Sequence, residues 1–151
     1  MQYRFIEESD FEKLAELEKR LLPGKPDSFY RCQPTAIRFF ARSGHSFVAA
    51  DESDLHGFVL AQAVWQGDRA TVLVTRIAAK NKETYTGLLN ALLKSAYDAN
   101  AYEAALLVNR ENRNELYDAA KGTGFSNSKL EMLVRVLGSR GEQGEVAGVL
   151  E

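Results

Sequence analysis

At 151 residues, 45% of them hydrophobic and 26% charged, the chain has the length and composition of one domain with a buried core. A net charge of −2 and a pI near 5.8 provide no broad basic field, which argues against nucleic acid as a partner. The single cysteine, Cys32, can neither staple the fold nor build a thiolate metal site, no apolar run is long enough to cross a bilayer, and Met1-Gln2-Tyr3-Arg4 does not open a signal peptide. The expectation is a cytoplasmic protein with no metal, membrane or nucleic-acid partner.

Tyr3-Arg4-Phe5-Ile6 is short and β-prone. Ser9-Asp10-Phe11-Glu12 matches a capping box, with Ser9 and Glu12 starting a helix whose apolar face is Phe11, Leu14, Leu17 and Leu21. Pro23-Gly24-Lys25-Pro26 stops that helix. A loop from Asp27 leads to a second helix, opened by Pro34 and carrying Ile37, Phe40 and Ala41. His45–Ala50 and Gly57–Gln66 read as strands joined by Asp51-Glu52-Ser53-Asp54, and the turn Gln66-Gly67-Asp68-Arg69 leads into a third, Thr71–Ala79.

An amphipathic helix follows, with Tyr85, Leu88, Leu89, Leu92, Leu93 and Ala96 on one face. Glu103–Val108 is apolar on both faces, like Thr71–Ala79, and the pair reads as strands covered on both sides. A strand, a crossover helix and a parallel strand bind ligands where the first strand hands over to the helix, here Ile77 to Gly87. A last helix closes on Gly124-Phe125, and Leu130–Leu137 alternates as a closing strand. The order is βααβββαβαβ, with room for a short strand near Phe125. It implies a single domain over 1–137 and a Gly- and charge-rich tail over 138–151.

This order resembles the GNAT superfamily of acyl-CoA-dependent N-acyltransferases, over nearly the whole chain up to Leu137. The resemblance implies an α+β, three-layer fold: a mostly antiparallel twisted sheet, one splayed parallel strand pair, and helices on both faces. It also implies acetyl-CoA or another acyl-CoA as donor and a small-molecule or protein amine as acceptor, in a monomer or homodimer. In that family the strand before the crossover helix pairs with pantetheine, and a loop [RQ]-x-x-G-x-[GA] offers amides to the pyrophosphate.

Aligned on Leu92-Leu93, the pantetheine strand falls on Ile77, Ala78 and Ala79, and the loop on Thr84, Tyr85, Thr86, Gly87, Leu88 and Leu89. Of the motif only Gly87 matches; Thr84 replaces the basic or amide residue and Leu89 the small one. Lys80 and Lys82 supply phosphate-facing charge from just upstream, as point charges. The family's Asn, Leu-Tyr and Gly-Phe correspond to Asn112, Leu116-Tyr117 and Gly124-Phe125. Tyr117 would return a proton to the leaving thiolate, although the gap to Gly124 is longer than usual by about one helical turn. Counted back from Gly124-Phe125, Ala120 takes the Tyr position.

Each residue also has a structural reading. Asn112 with Glu115 makes a helix cap; Tyr117 suits the rim of a core; Trp65 fits core packing better than an acceptor pocket; Glu83 and Glu103 read as solvated. His45 and His56 flank a hairpin as surface or strand-end residues without metal-ligand spacing, and Cys32 reads as a buried or loop thiol. No carboxylate lies on the strand before the handover, which shows Thr75 and Arg76. Two alternatives therefore stand beside an acyltransferase. One is a catalytically inactive GNAT-shaped binding or interaction module; the other is an α+β sandwich with no splay and no ligand at the handover.

Overall fold

The computed structural model describes residues 1–21, 34–108, 114–135 and 137. Pro23 to Pro26, Cys32, Asn112 and the tail over 138–151 lie outside the described residues. A five-stranded sheet is built in sequence order from β1 (Gln2–Phe5), β2 (Phe47–Ala50), β3 (Leu55–Gln66), β4 (Arg69–Ala79) and β5 (Glu103–Leu106). The first four strands are antiparallel neighbours and β5 runs parallel to β4. Helices α1 (Phe11–Leu21) and α2 (Pro34–Ala41) cover one face, and α3 (Lys82–Asp98) and α4 (Glu115–Gly122) the other. Among the described residues no helix is long and apolar enough to cross a membrane.

Two cores follow from the pleat. Ile6, Phe11, Leu14, Leu17, Ile37, Val48, Phe58, Leu60 and Ala78 form the α1/α2 side. Phe47, Ala49, Val59, Ala61, Val72, Val74, Leu88, Leu89 and Leu92 form the α3 side. On β2 and β3, neighbouring residues alternate between the two clusters, as a period of two requires. On β4 the alternation changes parity: Val72 and Val74 face α3, whereas Ala78 faces α1. The cause is a bulge. Leu60 pairs with Arg76 and Ala61 with Val74, leaving Thr75 as an extra residue on β4, with its hydroxyl donating to the Leu60 carbonyl at 3.2 Å.

The β3–β4 hairpin turns at Gly67, whose φ of +67° suits the first central position of a two-residue type II′ turn. Beyond the reach of the helices its tip stands in water, so Trp65, expected in the core, is 71% exposed. The capping box is Glu7–Asp10, two residues before the expected Ser9–Glu12 box, and a 3-10 turn over Glu8–Asp10 leads into α1. Glu7 is the N-cap, and Asp10 at the third helical position accepts the Glu7 amide at 2.8 Å and a bidentate Arg4 fork at 2.7 and 3.0 Å. Arg4 on β1 thereby locks the strand to the helix start, and its fork outcompetes a hydroxyl that has no such partner. Burial pushes the Asp10 carboxyl up, but Arg4 and the Glu7 amide outweigh it and hold the group below its ordinary value.

Three further expectations are corrected. The strands Thr71–Ala79 and Glu103–Val108 are not both interior: β5 ends at Leu106, sits at the sheet edge and is only partly buried. Leu130–Leu137 forms no strand among the described residues, nor is there one near Phe125. Gly124 at φ +99° instead terminates α4, with the Phe125 amide bonded to the Ala120 carbonyl and the Gly124 amide to Lys121. That is a Schellman stop, in which Phe125 packs back on the core.

His45 is not a surface residue. It is 7% exposed and bridges the start of β2 to α3 through Nδ1, 2.9 Å from the Ser95 hydroxyl. That hydroxyl already donates to the Leu92 carbonyl, so it accepts from the imidazole Nδ1–H. Burial lowers the His45 pKa from 6.5, so the unfolded chain binds the proton more readily than the folded one. The resulting stability is complete above pH 6.5 and is lost as pH falls through the lowered folded pKa. Denaturant titrations should therefore show stability falling on acidification, and a His45→Gln variant should show a flatter pH dependence in that window. Gly87→Ala is expected to cost about 1–3 kcal/mol by overpacking, because a Cβ there would meet Tyr3 Cζ at 1.9 Å. Calorimetry on the Tyr3→Ala/Gly87→Ala double variant should show less than the summed loss.

Candidate functional site

The parallel ladder is short. Thr71 pairs with Glu103, Val72 with Ala104, Leu73 with Ala105 and Val74 with Leu106, and there it stops, although β4 continues to Ala79. The bulge at Thr75 lies where the β4–β5 ladder ends, so the last residues of β4 run on without a β5 partner. Along β4 the groups facing that unpaired side follow from the β3 ladder. The Lys80 amide donates to the directly opposite His56 carbonyl at 3.1 Å, which makes this a hydrogen-bonded pair. Antiparallel alternation then turns Ala78 and Arg76 toward β3, and Ile77 and Ala79 toward the open edge.

Ile77 and Ala79 are thus the members of the expected pantetheine strand whose backbone groups face outward. Ala78 is not. Its amide and carbonyl belong to the β3 ladder, and its methyl is fully buried under α1. The Tyr85 hydroxyl lies near the Ala79 backbone. Burial raises the pKa of this phenol, the Ala79 amide partly offsets the effect, and the Glu115 carboxylate at the start of α4 adds to it. Tyr85 therefore lies between the end of β4 and the first turn of α4, at 7% exposure.

The loop motif falls inside a helix that has already begun. Asn81, between β4 and α3, is the N-cap: its carboxamide oxygen accepts the Thr84 amide at 2.9 Å and the Thr84 hydroxyl at 2.7 Å, and its carbonyl accepts the Tyr85 amide at 3.1 Å. Thr86, Gly87 and Leu88 lie deeper, where amides close the helical ladder. The expected amides of Thr84, Tyr85, Thr86, Gly87 and Leu88 are therefore not available to an anion; those left by the cap are Lys82 and Glu83. Gly87 has a packing role instead, since its missing side chain makes room for the Tyr3 ring. Leu88 and Leu89 are both fully buried. Lys80 and Lys82 are exposed at this helix start, as a phosphate-facing pair would have to be.

Tyr117 stands half-buried in the first turn of α4, with Lys121 Nζ 5.4 Å from its ring centroid. Ala120, in the register counted from Gly124-Phe125, is buried in the core. The α4 cap is Asn114, which accepts the Leu116 amide at 3.0 Å. Glu103 is not merely solvated, because it accepts the Thr71 hydroxyl at 2.9 Å across the parallel pair. His56 Nε2 lies 2.6 Å from Asp51 within the β2–β3 turn; the Ser53 hydroxyl above all, with the Asp54 and Ser53 amides and His56, holds Asp51 far below its ordinary pKa. Among the described residues no group of three His, Cys, Asp or Glu residues is placed to hold a metal.

Sequence reasoning missed one carboxylate. Glu18 on α1 is 3% exposed and forms a close ion pair with Arg76, the residue following the bulge. Arg76 Nε is buried without a hydrogen-bond partner among the described residues. The pair sits on the α1 side of β4, across the sheet from Tyr85. Its one sequence signal was a Glu on the apolar face of α1, between Leu17 and Leu21, opposite an Arg inside a strand.

These features place the chain among known proteins. No curated protein matches its sequence. Among solved structures it is similar to wild-type TTHA1254 from Thermus thermophilus, with 48% identity, 93% of this chain and 100% of that chain covered, and a TM-score of 0.78. It is similar at the level of fold to the aminoglycoside N-acetyltransferase AAC(6′)-Iy in complex with CoA, with 19% identity, 89% and 93% coverage and a TM-score of 0.70. A ribosomal-protein-alanine N-acetyltransferase from Brucella melitensis biovar Abortus 2308 gives 13% identity, 89% and 99% coverage and a TM-score of 0.66. The family model described as "Protein of unknown function (DUF1999)" matches residues 1–148. The chain therefore belongs to the DUF1999 family, and its mixed sheet with one parallel pair is the GNAT fold.

Proposed function

We propose that the protein transfers an acetyl or other acyl group from acyl-CoA to an amine. The observation that carries this reading is the unpaired end of β4: the strand extends past the last β5 pair at Val74, and its outward-facing backbone at Ile77 and Ala79 has no strand opposite among the described residues. An extended amide chain such as pantetheine pairs with an edge of this kind as a strand would. Lys80, Lys82 and the amides of Lys82 and Glu83 at the α3 N-terminus then face the pyrophosphate, where the helix dipole favours an anion. Amine nitrogen attacks the thioester carbonyl carbon, the carbon–sulfur bond breaks, and the thiolate takes a proton. Tyr117 at the start of α4 is the candidate proton donor, and the amine loses its own proton to solvent or a nearby carboxylate. The acceptor is a small-molecule or protein amine reaching the α1 side of β4, where Glu18 and Arg76 stand.

The closed cap at Asn81 favours a second reading, an inactive module that keeps the fold without turnover. Unfolding measurements with CoA and acetyl-CoA, followed by an amine panel, separate the two. Ligand at a hundred times its dissociation constant should add about 2.7 kcal/mol of stability. Absence of any shift at millimolar ligand would sink the acyltransferase reading; a shift with no turnover on any amine would favour the inactive module. Lys80→Glu with Lys82→Glu should weaken the shift at least tenfold. Ile77→Pro removes an edge amide that the β3 ladder does not use, and should abolish the shift in a folded protein. Glu18→Ala is expected to cost about 3–5 kcal/mol by stranding the buried Arg76 charge, whereas Glu18→Leu with Arg76→Met should recover most of that loss in chemical denaturation.

A further inference from the structure

A guanidinium offers its N–H donors in a rigid planar fork. Arg76 directs Nη2 at Glu18, while its Nε is buried with no hydrogen-bond partner among the described residues. A buried donor on a charged group is costly to leave unmade, so such an atom points to a bound water or to a ligand. Its place in the sheet favours a ligand. Arg76 follows the bulge residue Thr75 and lies between Val74, the last β4 residue paired with β5, and the outward-facing backbone of Ile77. The Arg76 side chain keeps 17% of its surface in solvent and that of Glu18 keeps 4%, so the pair is sheltered but not sealed.

Charge decides which molecule fits. Arg76 and Glu18 together are neutral. A plain amine would leave the site net positive and a plain carboxylate would leave it net negative, and an uncompensated charge is penalised in a setting this buried. A zwitterion adds one charge of each sign and keeps the total at zero.

We propose that the acceptor amine is a free amino acid, its carboxylate held by Arg76, Nε included, and its ammonium held by Glu18. The assignment rests on the acyl-transfer reading and narrows its acceptor. A peptide N-terminus has an amide where the amino acid has its carboxylate, so it lacks the second charge. Neutrality also survives the reaction. The ammonium gives one proton to Glu18, and the freed nitrogen bonds to the thioester carbonyl carbon. The carbon–sulfur bond breaks with its electron pair on sulfur, and the second nitrogen proton balances the one that the thiolate takes up. Arg76 then faces the carboxylate of an N-acyl amino acid beside a protonated, uncharged Glu18, which returns its proton to solvent.

Nitrogen NMR of the full chain without CoA tests the site apart from turnover. The Arg76 Nε resonance, identified by its loss in Arg76→Lys, is followed as each common L-amino acid is added, with its carboxamide and its des-amino carboxylate as controls. At least one amino acid should move the resonance and bind about tenfold or more tightly than either control, each of which forfeits one charge-assisted bond. Glu18→Gln keeps a hydrogen-bond acceptor beside Arg76 and removes one negative charge, so it should reverse the order and favour the des-amino carboxylate. A purely structural ion pair predicts neither result. If no ligand moves the resonance, Nε meets only water and the proposal is overturned, whether or not CoA binds. Equal binding of amino acids and their carboxamides overturns it as well. If an amino acid binds at Arg76 while CoA gives no unfolding shift, the site stands and the acyl-transfer reading falls. Where Glu18→Gln does not fold, the titration of the unmodified chain with the three ligand types decides alone.

Discussion

Thr75 has no counterpart on β3, and much of the architecture depends on that mismatch. An extra residue in one strand of an antiparallel pair reverses which side chains face which layer and bends the strand. Here the reversal hands Val72 and Val74 to the α3 core and Ala78 to the α1 core. The bulge comes where β5 stops pairing, so a strand that would otherwise be closed on both edges leaves the outward backbone of Ile77 and Ala79 without a paired strand. The candidate binding edge is therefore a consequence of sheet geometry, with the helices holding the two faces rigid around it.

The start of α3 illustrates how a site position and a packing position compete for the same residues. A helix leaves its first amides unpaired, and an anion can use them only if the cap does not. Asn81 takes the Thr84 amide, and the buried Thr84 hydroxyl adds a second bond to the same oxygen. What remains for an anion is one turn earlier than the loop motif places it, beside Lys80 and Lys82. Gly87, deeper in the helix, answers a different constraint: the Tyr3 ring of β1 lies against its Cα, binding the sheet edge to the helix.

Polar groups inside this protein occur in pairs that tie separate elements together. Arg4–Asp10 joins β1 to the start of α1, Arg76–Glu18 joins β4 to α1, and His45–Ser95 joins β2 to α3. Each buries a group whose lone presence in the core would cost more than the pair contributes. Their value is therefore mainly in fixing which elements meet. Arg76–Glu18 does so at the residue after the bulge.

Element order and core faces were legible in the residues themselves, because periodicities of 3.6 and 2 record which side chains leave water. The faces of α1 and α3, the hairpin at Gly67 and the stop at Gly124 all come from that local chemistry. The GNAT fold followed from the order of those elements. Tertiary structure decided what depends on register and on residues far apart in the chain. A bulge is invisible in a single strand, since it exists only against its partner. So are the partners of Asp10, Glu18 and His45, which lie 6, 58 and 50 residues away. Leu130–Leu137 shows the same division: alternation marks it as a strand, but alternation cannot say which edge it joins, and among the described residues it joins none.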